Sequence, residues 1–110
     1  MGDAPAYKLV WFAPREALDT TREAVFAAGA GRIGEYERCS WYTAGTGTFF
    51  AHEGADPAVG RVGHEERVSE LRVETVVPAD RVRAVVDALV AAHPYEEVAF
   101  DLYPLADPRA

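Results

Sequence analysis

The sequence predicts an α+β fold of ferredoxin-like type: a split βαβ in the order β-α-β-β-α-β, with a four-stranded antiparallel sheet and two helices on one face. Three observations predict it. Two segments repeat one pattern, a β-forming run, a proline and an amphipathic helix. They align without a gap: Trp11 with Thr75, Ala13 with Val77, Pro14 with Pro78, Glu16 with Asp80, Leu18 with Val82, Val25 with Leu89 and Ala28 with Ala92. Each segment is followed by a further β-forming run, and two such units in tandem make the split βαβ. Right-handed crossovers put both helices on the same side. The length, 110 residues, suits one domain with one core. Its core is expected over 7–105, with a central loop over 43–66 and a frayed tail over 106–110.

Tyr7 to Ala13 (YKLVWFA) is a compact apolar run and reads as a buried strand. Pro14 opens a helix, where its missing N–H costs nothing. Glu16 and Asp19 favour the positive end of the helix dipole. Leu18, Thr21, Val25 and Ala28 recur at helical spacing, and Gly29 and Gly31 stop the helix. Tyr36 to Ala44 reads as the second strand, with Tyr36, Arg38, Ser40 and Tyr42 on one face. Arg67 to Val77 alternates, and the set Ser69, Leu71, Val73, Thr75 and Val77 faces the core at its C-terminal end. Asp80 to Ala92 is a helix with Val82, Val85, Val86, Leu89 and Val90 on one stripe. His93-Pro94 breaks it, and Val98 to Leu105 is the last strand. With both helices on one face, the other face needs a cover. A second subunit is the cheapest one for so short a chain.

The hydrophobic fraction of 49% and charged fraction of 26% are those of a folded domain. No apolar run reaches the roughly 18 residues that span a bilayer. Met1 to Pro5 has neither the basic start nor the apolar core of a signal peptide, and Ala6 stands where a myristoylation signal has Ser or Thr. The expected compartment is the cytoplasm. The formal net charge of −7 argues against nucleic acid and anionic membranes as partners. The single cysteine, Cys39, makes no internal disulfide. Cys39 suits either a small strand hydrophobe or a nucleophile.

The stretch from Thr43 to Gly63 carries Gly45, Gly47, Gly54, Gly60 and Gly63. A tight hairpin needs about two to five residues, and long links inside compact domains are usually functional or disordered. Two readings fit Gly45-Thr46-Gly47-Thr48. It is a cradle of backbone N–H groups and hydroxyls for an anion, or a bulged turn leading into a short strand, Thr48 to Ala51. It is not a P-loop, since no Lys-Ser or Lys-Thr follows. Candidate ligand-binding residues are therefore Gly45, Thr46, Gly47, Thr48 and Gly54. Phe49 and Phe50 face opposite ways in a strand, so one enters the core and the other marks a subunit interface.

His52, His64 and His93 lie beside Glu53, Glu65, Glu66, Glu96 and Glu97. None has metal-ligand spacing, so no metal or cofactor is expected. His93 reads as a helix C-terminal residue favoured by the dipole. Tyr95, Glu96 and Glu97 read as turn-shaping residues rather than acid/base groups, and Trp11 and Trp41 as packing aromatics.

Several motifs in order carry a resemblance: Gly29-Ala30-Gly31-Arg32-Ile33-Gly34, Tyr36-x-x-Cys39-Ser40, Gly45-Thr46-Gly47-Thr48-Phe49, Gly54-Ala55-x-Pro57-x-x-Gly60, His93-Pro94-Tyr95-Glu96-Glu97 and Asp101-x-Tyr103-Pro104-Leu105. From Tyr7 to Leu105 the chain resembles the middle, inserted domain of the YqfO proteins, within the YbgI/YqfO dinuclear-metal-centre family. It looks like that insert living alone. The resemblance implies a PII/CutA-like domain prone to form homotrimers. The metals of that family are held by flanking domain halves, so no metal ligand is carried over. Ala51 and Asp56 stand where the family often has Pro and Asn. The expected function is a binding or regulatory module for a small-molecule or protein partner, not an enzyme. The alternatives are an accessory metal-binding protein of CutA type and a nucleotide hydrolase.

Overall fold

Pro14 and Pro78 build the same corner twice. Both are extended, at φ −63°, ψ 153° and φ −61°, ψ 147°, and each is followed by a 3-10 turn, Arg15–Ala17 and Ala79–Arg81. The turns run into α1 (Leu18–Ala27) and α2 (Val82–Ala92). Proline fits this corner because its fixed φ and missing N–H suit a helix entrance. The Ala17 N–H donates to Pro14 O at 2.9 Å, so the turn binds backbone groups that no side chain caps. The structure, a computed structural model, describes residues 5–109. The expectations for residues 1–4, and for Ala110 in the tail, lie outside the described residues.

Four strands, β1 (Ala6–Ala13), β2 (Ser40–Phe50), β3 (Glu65–Pro78) and β4 (Phe100–Leu105), form one sheet in the order β2-β3-β1-β4. Every neighbouring pair is antiparallel. The architecture is ferredoxin-like α+β. Trp11 stands opposite Val73 on one side and Phe100 on the other. On that face Leu9, Trp11, Val73 and Val77 meet Val25 of α1 and Val85 and Leu89 of α2, all fully buried. Burying each such side chain contributes about 1.5–3 kcal/mol. The Trp11 indole N–H is satisfied inside the core, donating to the Thr21 hydroxyl at 3.0 Å. That hydroxyl turns its own hydrogen to the carbonyls of Ala17, at 2.8 Å, and Leu18, at 3.1 Å.

The face away from the helices is covered only in part. Val10 is fully buried there, between Glu74 and Asp101 in the register. The Arg72 guanidinium lies 5.8 Å from the Phe12 ring centroid and pairs with Glu74 at 3.0 Å. Its aliphatic stem thus shields the sheet while its charge stays wet. Trp41, 59% exposed, lies on this face uncovered. No helix among the described residues is long and apolar enough to cross a membrane.

The second strand differs from its expected bounds. It runs over Ser40–Phe50, not Tyr36 to Ala44, so 43–50 is strand and the central connection is 51–64, not 43–66. Upstream, Ile33 and Tyr36 bridge across a turn and Arg38 takes φ 61°. Glycine steers this segment. Gly31, at φ 85°, donates to Val76 O and accepts from Cys39 N, both at 2.8 Å, and a Cβ there would meet the Phe26 ring at 2.7 Å. The Gly45-Thr46-Gly47-Thr48 run is neither cradle nor bulged turn: it pairs in register with Glu70, Ser69, Val68 and Arg67. Pairing with β3 outweighs glycine's weak strand preference. Along a strand, successive N–H groups point to opposite sides and do not converge on one anion. At the C-terminal end the last strand begins at Phe100, not Val98, and Val90 of the expected α2 stripe is exposed.

Candidate functional cavity

Strand β3 outruns β1. Ala13 stands opposite Leu71, so residues 65–70 pair with β2 alone. Because alternate residues share a face, the even-numbered Glu66, Val68 and Glu70 lie opposite the face of Leu71 and Val73. Gly45, Gly47 and Phe49 of β2 join them by register. The 51–64 connection then folds back on this projecting hairpin. Gly63 N–H donates to Ala51 O at 2.8 Å beside the parallel Ala51–Val62 bridge, and Ala51 is buried. From the other side comes the segment between α2 and β4. The Asp56 N–H donates to Glu96 Oε1 at 3.0 Å and ties the connection to that segment.

A cavity of about 320 Å³ lies between these three pieces. Its apolar wall includes Phe49, Phe50, Pro57, Val59, Val68 and Ala99, and its charged side chains are Glu70, Glu96 and Glu97. Among the described residues no lysine, arginine or histidine lines it. The volume is at the small end of the range for organic ligands.

Glu70 is half-buried, and burial pushes its carboxyl up from the ordinary value. It makes no side-chain hydrogen bond or ion pair among the described residues. A Cβ placed on Gly47 would collide with the Glu70 carboxylate, so the absent side chain at Gly47 leaves the room that Glu70 occupies. The Tyr95 hydroxyl is also held above its ordinary range, first by burial and then by the negative charge of Glu70 and Glu16. It therefore stays protonated at neutral pH.

His93 sets the backbone that carries Tyr95. It is buried, its Nδ1 accepts from the Tyr95 N–H at 3.1 Å, and its Nε2 lies 2.7 Å from Phe12 O. A ring nitrogen that accepts carries no proton, so Nε2 holds the hydrogen and donates to the carbonyl. His93 is the C-cap residue of α2, as its reading as a helix C-terminal residue expects, and its ring joins the end of β1 to the segment that follows the helix. The ring also meets Tyr95 edge-on, with centroids 4.9 Å apart.

Of the residues singled out from sequence, Gly47 and Thr48 line the cavity. Gly45 and Thr46 lie in the β2 ladder outside its lining, and Gly54, at φ 98°, turns the connection elsewhere. Neither Phe49 nor Phe50 enters the hydrophobic core, contrary to expectation. Both line the cavity, and the Phe50 ring lies tilted against His52 with centroids 5.3 Å apart. Cys39 is half-buried, with its Sγ 3.9 Å from Glu37 O. Among the described residues no three His, Cys, Asp or Glu side chains are grouped to hold a metal ion. Sequence reasoning passed over Glu70, Val68 and Ala99. The alternation of β3 had already placed Glu70 and Val68 away from the core, and that was the available signal.

No protein-family model matches the chain. It is 55% identical over 107 residues to a GTP cyclohydrolase 1 type 2 homolog of Mycobacterium tuberculosis, covering 97% of this chain and 28% of that protein. The chain thus spans a little over a quarter of the length of the curated relatives it matches. A solved Bacillus cereus protein related to NIF3 is 44% identical, with a TM-score of 0.83 over 97% of this chain and 27% of its own. The periplasmic divalent cation tolerance protein CutA of Archaeoglobus fulgidus has a TM-score of 0.69 at 15% identity, over 93% of this chain and 85% of its own. A B. subtilis GlnK–ATP complex gives 0.63 at 9% identity, over 96% of this chain and 85% of its own. The last two likenesses concern the fold alone.

Proposed function

From a chain that corresponds to one segment of the YqfO/NIF3-type GTP cyclohydrolase 1 type 2 homologs and folds as a small PII/CutA-like module, we propose a binding or regulatory domain. It takes a small molecule in the cavity beside Gly47 and Glu70 and acts through contacts with other subunits, without turnover. The observation that carries this reading is the cavity itself. It is mostly apolar, has a few convergent polar groups, and is roofed by a connection that the Asp56–Glu96 hydrogen bond ties to the segment after α2. Thr48 and Tyr95 supply neutral polar contacts at its wall.

Assembly follows from β2. This strand lies at the sheet edge, is 11 residues long, and has neither a charge nor a proline in SWYTAGTGTFF. Folded monomers protect such edges with charges, prolines or bulges. The opposite edge strand, β4, carries Asp101 and Pro104. With Trp41, Tyr42 and Phe50 about half exposed along β2, the strand is suited to pairing with a second copy, and a homotrimer is the assembly proposed.

A fragment screen by ¹H–¹⁵N NMR tests the binding reading. Amide shifts should cluster on 47–49, 68–70 and 95–99 and vanish in Ala99→Trp, which fills the cavity. Shifts scattered over the surface, or unchanged in that variant, refute it. Light scattering behind a sizing column should give three subunits, and a monomer at tens of micromolar refutes the assembly.

A further inference from the structure

The charged groups of the cavity have one sign. Glu70, Glu96 and Glu97 line it, and among the described residues no basic side chain does. Their situations differ. Glu96 spends Oε1 on the Asp56 N–H, whereas Glu70 has no hydrogen-bond or ion-pair partner among the described residues. Glu70 comes from the strand floor and is partly withdrawn from water. A carboxylate in that position is under-solvated, and an incoming hydrogen-bond donor with positive charge restores what burial removed. An anionic ligand meets three carboxylates and no basic side chain among the described residues here, so phosphate and carboxylate compounds are disfavoured. A neutral apolar ligand fills the walls and leaves Glu70 unpaired.

The walls select the rest of the ligand. Phe49, Val68, Pro57, Val59 and Ala99 offer apolar surface, with the Tyr95 ring beside them. A small hydrated metal ion gains nothing from such walls, and the carboxylates do not form a compact ligand set. An organic body of modest size uses both features. Aromatic side chains at the wall add attraction for a cation that comes to lie over a ring face.

We infer that the cavity binds a small organic cation, a primary ammonium on an aromatic or branched apolar body, with the ammonium on Glu70 and the body against Phe49 and Val68. This rests on the cavity being a ligand site, as proposed above, and adds the ligand's chemical class. No bond is made or broken. The ammonium exchanges water for a charge-assisted hydrogen bond, while the body leaves water for the wall.

The test uses three probes of matched size, benzylammonium, benzyl alcohol and benzoate, titrated into the full chain at pH 7.5 and followed by ¹H–¹⁵N NMR. Benzylammonium should bind about tenfold more tightly than either other probe, the scale of one charge-assisted hydrogen bond. The perturbed amides should include Gly47, Val68 and Ala99. In Glu70→Gln, and in Glu70→Ala as a second variant, the three affinities should converge while the spectrum stays that of the folded protein. Equal or tighter binding of benzyl alcohol or benzoate in the wild type overturns the cation assignment and leaves the cavity reading standing. A preference for benzylammonium that survives in both variants removes Glu70 from the role. Displacement of benzylammonium by micromolar Zn²⁺ or Ca²⁺ alone overturns it in favour of a metal site. Absence of cavity shifts with all three probes, together with a failed fragment screen, refutes the cavity reading itself.

Discussion

The Glu70 carboxylate occupies the place where a side chain on Gly47 would begin. Gly47 sits in β2 opposite Val68, and Glu70 reaches across diagonally from the next position on the same face of β3. The glycine is an opening in the strand surface, and the carboxylate fills it at the edge of the cavity.

Gly47→Ala should therefore move Glu70 rather than break the hairpin. The three nearest atoms in the way all lie at the end of one flexible side chain, that of Glu70. Stability should change by no more than about 1 kcal/mol, since alanine also relieves the backbone entropy of a strand glycine. Denaturant midpoints check this, and the ¹³Cδ shift of Glu70 should change. A loss beyond about 3 kcal/mol, the scale of a buried clash, would show that Glu70 is locked in place.

Stability should fall as pH rises through the titration of Glu70. Burial holds its carboxyl above the ordinary 4.5 in the folded chain. Between the unfolded and the raised folded value the native state binds more protons than the unfolded one, and there the slope of stability against pH is negative. Below the unfolded value this contribution is fully present. Glu70→Gln should remove that component and gain most in relative stability above the window. Midpoints measured at closely spaced pH values check it. An identical pH profile for the variant and the wild type would refute the assignment.

Thr21→Val should cost about 1–3 kcal/mol although the shapes nearly match, because the buried Trp11 N–H loses its acceptor. Thr21→Ser should restore most of the loss. The check is the shift in urea midpoint at constant slope. A Val variant as stable as the wild type would mean that another group reaches the indole.

His93→Ala should loosen the cavity wall as well as the fold. It removes the acceptor of the Tyr95 N–H and the donor to Phe12 O. A loss of about 2 kcal/mol or more is expected for two groups left unpaired at a mostly buried site. Tyr95 ring signals should broaden or shift. Unchanged stability would show that water replaces the imidazole.

Amides of 54–63 should exchange with solvent faster than those of 71–77. The connection is held to the rest of the chain by few bonds, with the Asp56–Glu96 contact among them, while Leu71, Val73 and Val77 are core. Glu96→Ala should speed exchange at Asp56 and its neighbours without altering 71–77. Strong, uniform protection across 54–63 would make the connection a structural strap.

The sequence by itself determined the duplicated frame. Local chemistry writes that pattern: a proline that fits a helix entrance, valines at helical spacing on α2, and the two-residue alternation of Leu71, Val73, Thr75 and Val77. Each signal is complete within about ten residues, so the two corners at Pro14 and Pro78 and the core face of β3 were legible. The tertiary structure decided the rest. Gly45-Thr46-Gly47-Thr48 looks like a loop because glycine weakens a strand locally, yet β3 supplies a partner for every residue from Ser40 to Phe50, and pairing prevails. Glu70, Tyr95, Pro57 and Ala99 become one cavity only when β3 outruns β1 and two connections fold into the space left beyond Ala13. Proximity of that kind comes from unequal strand lengths and packing, which no local pattern records.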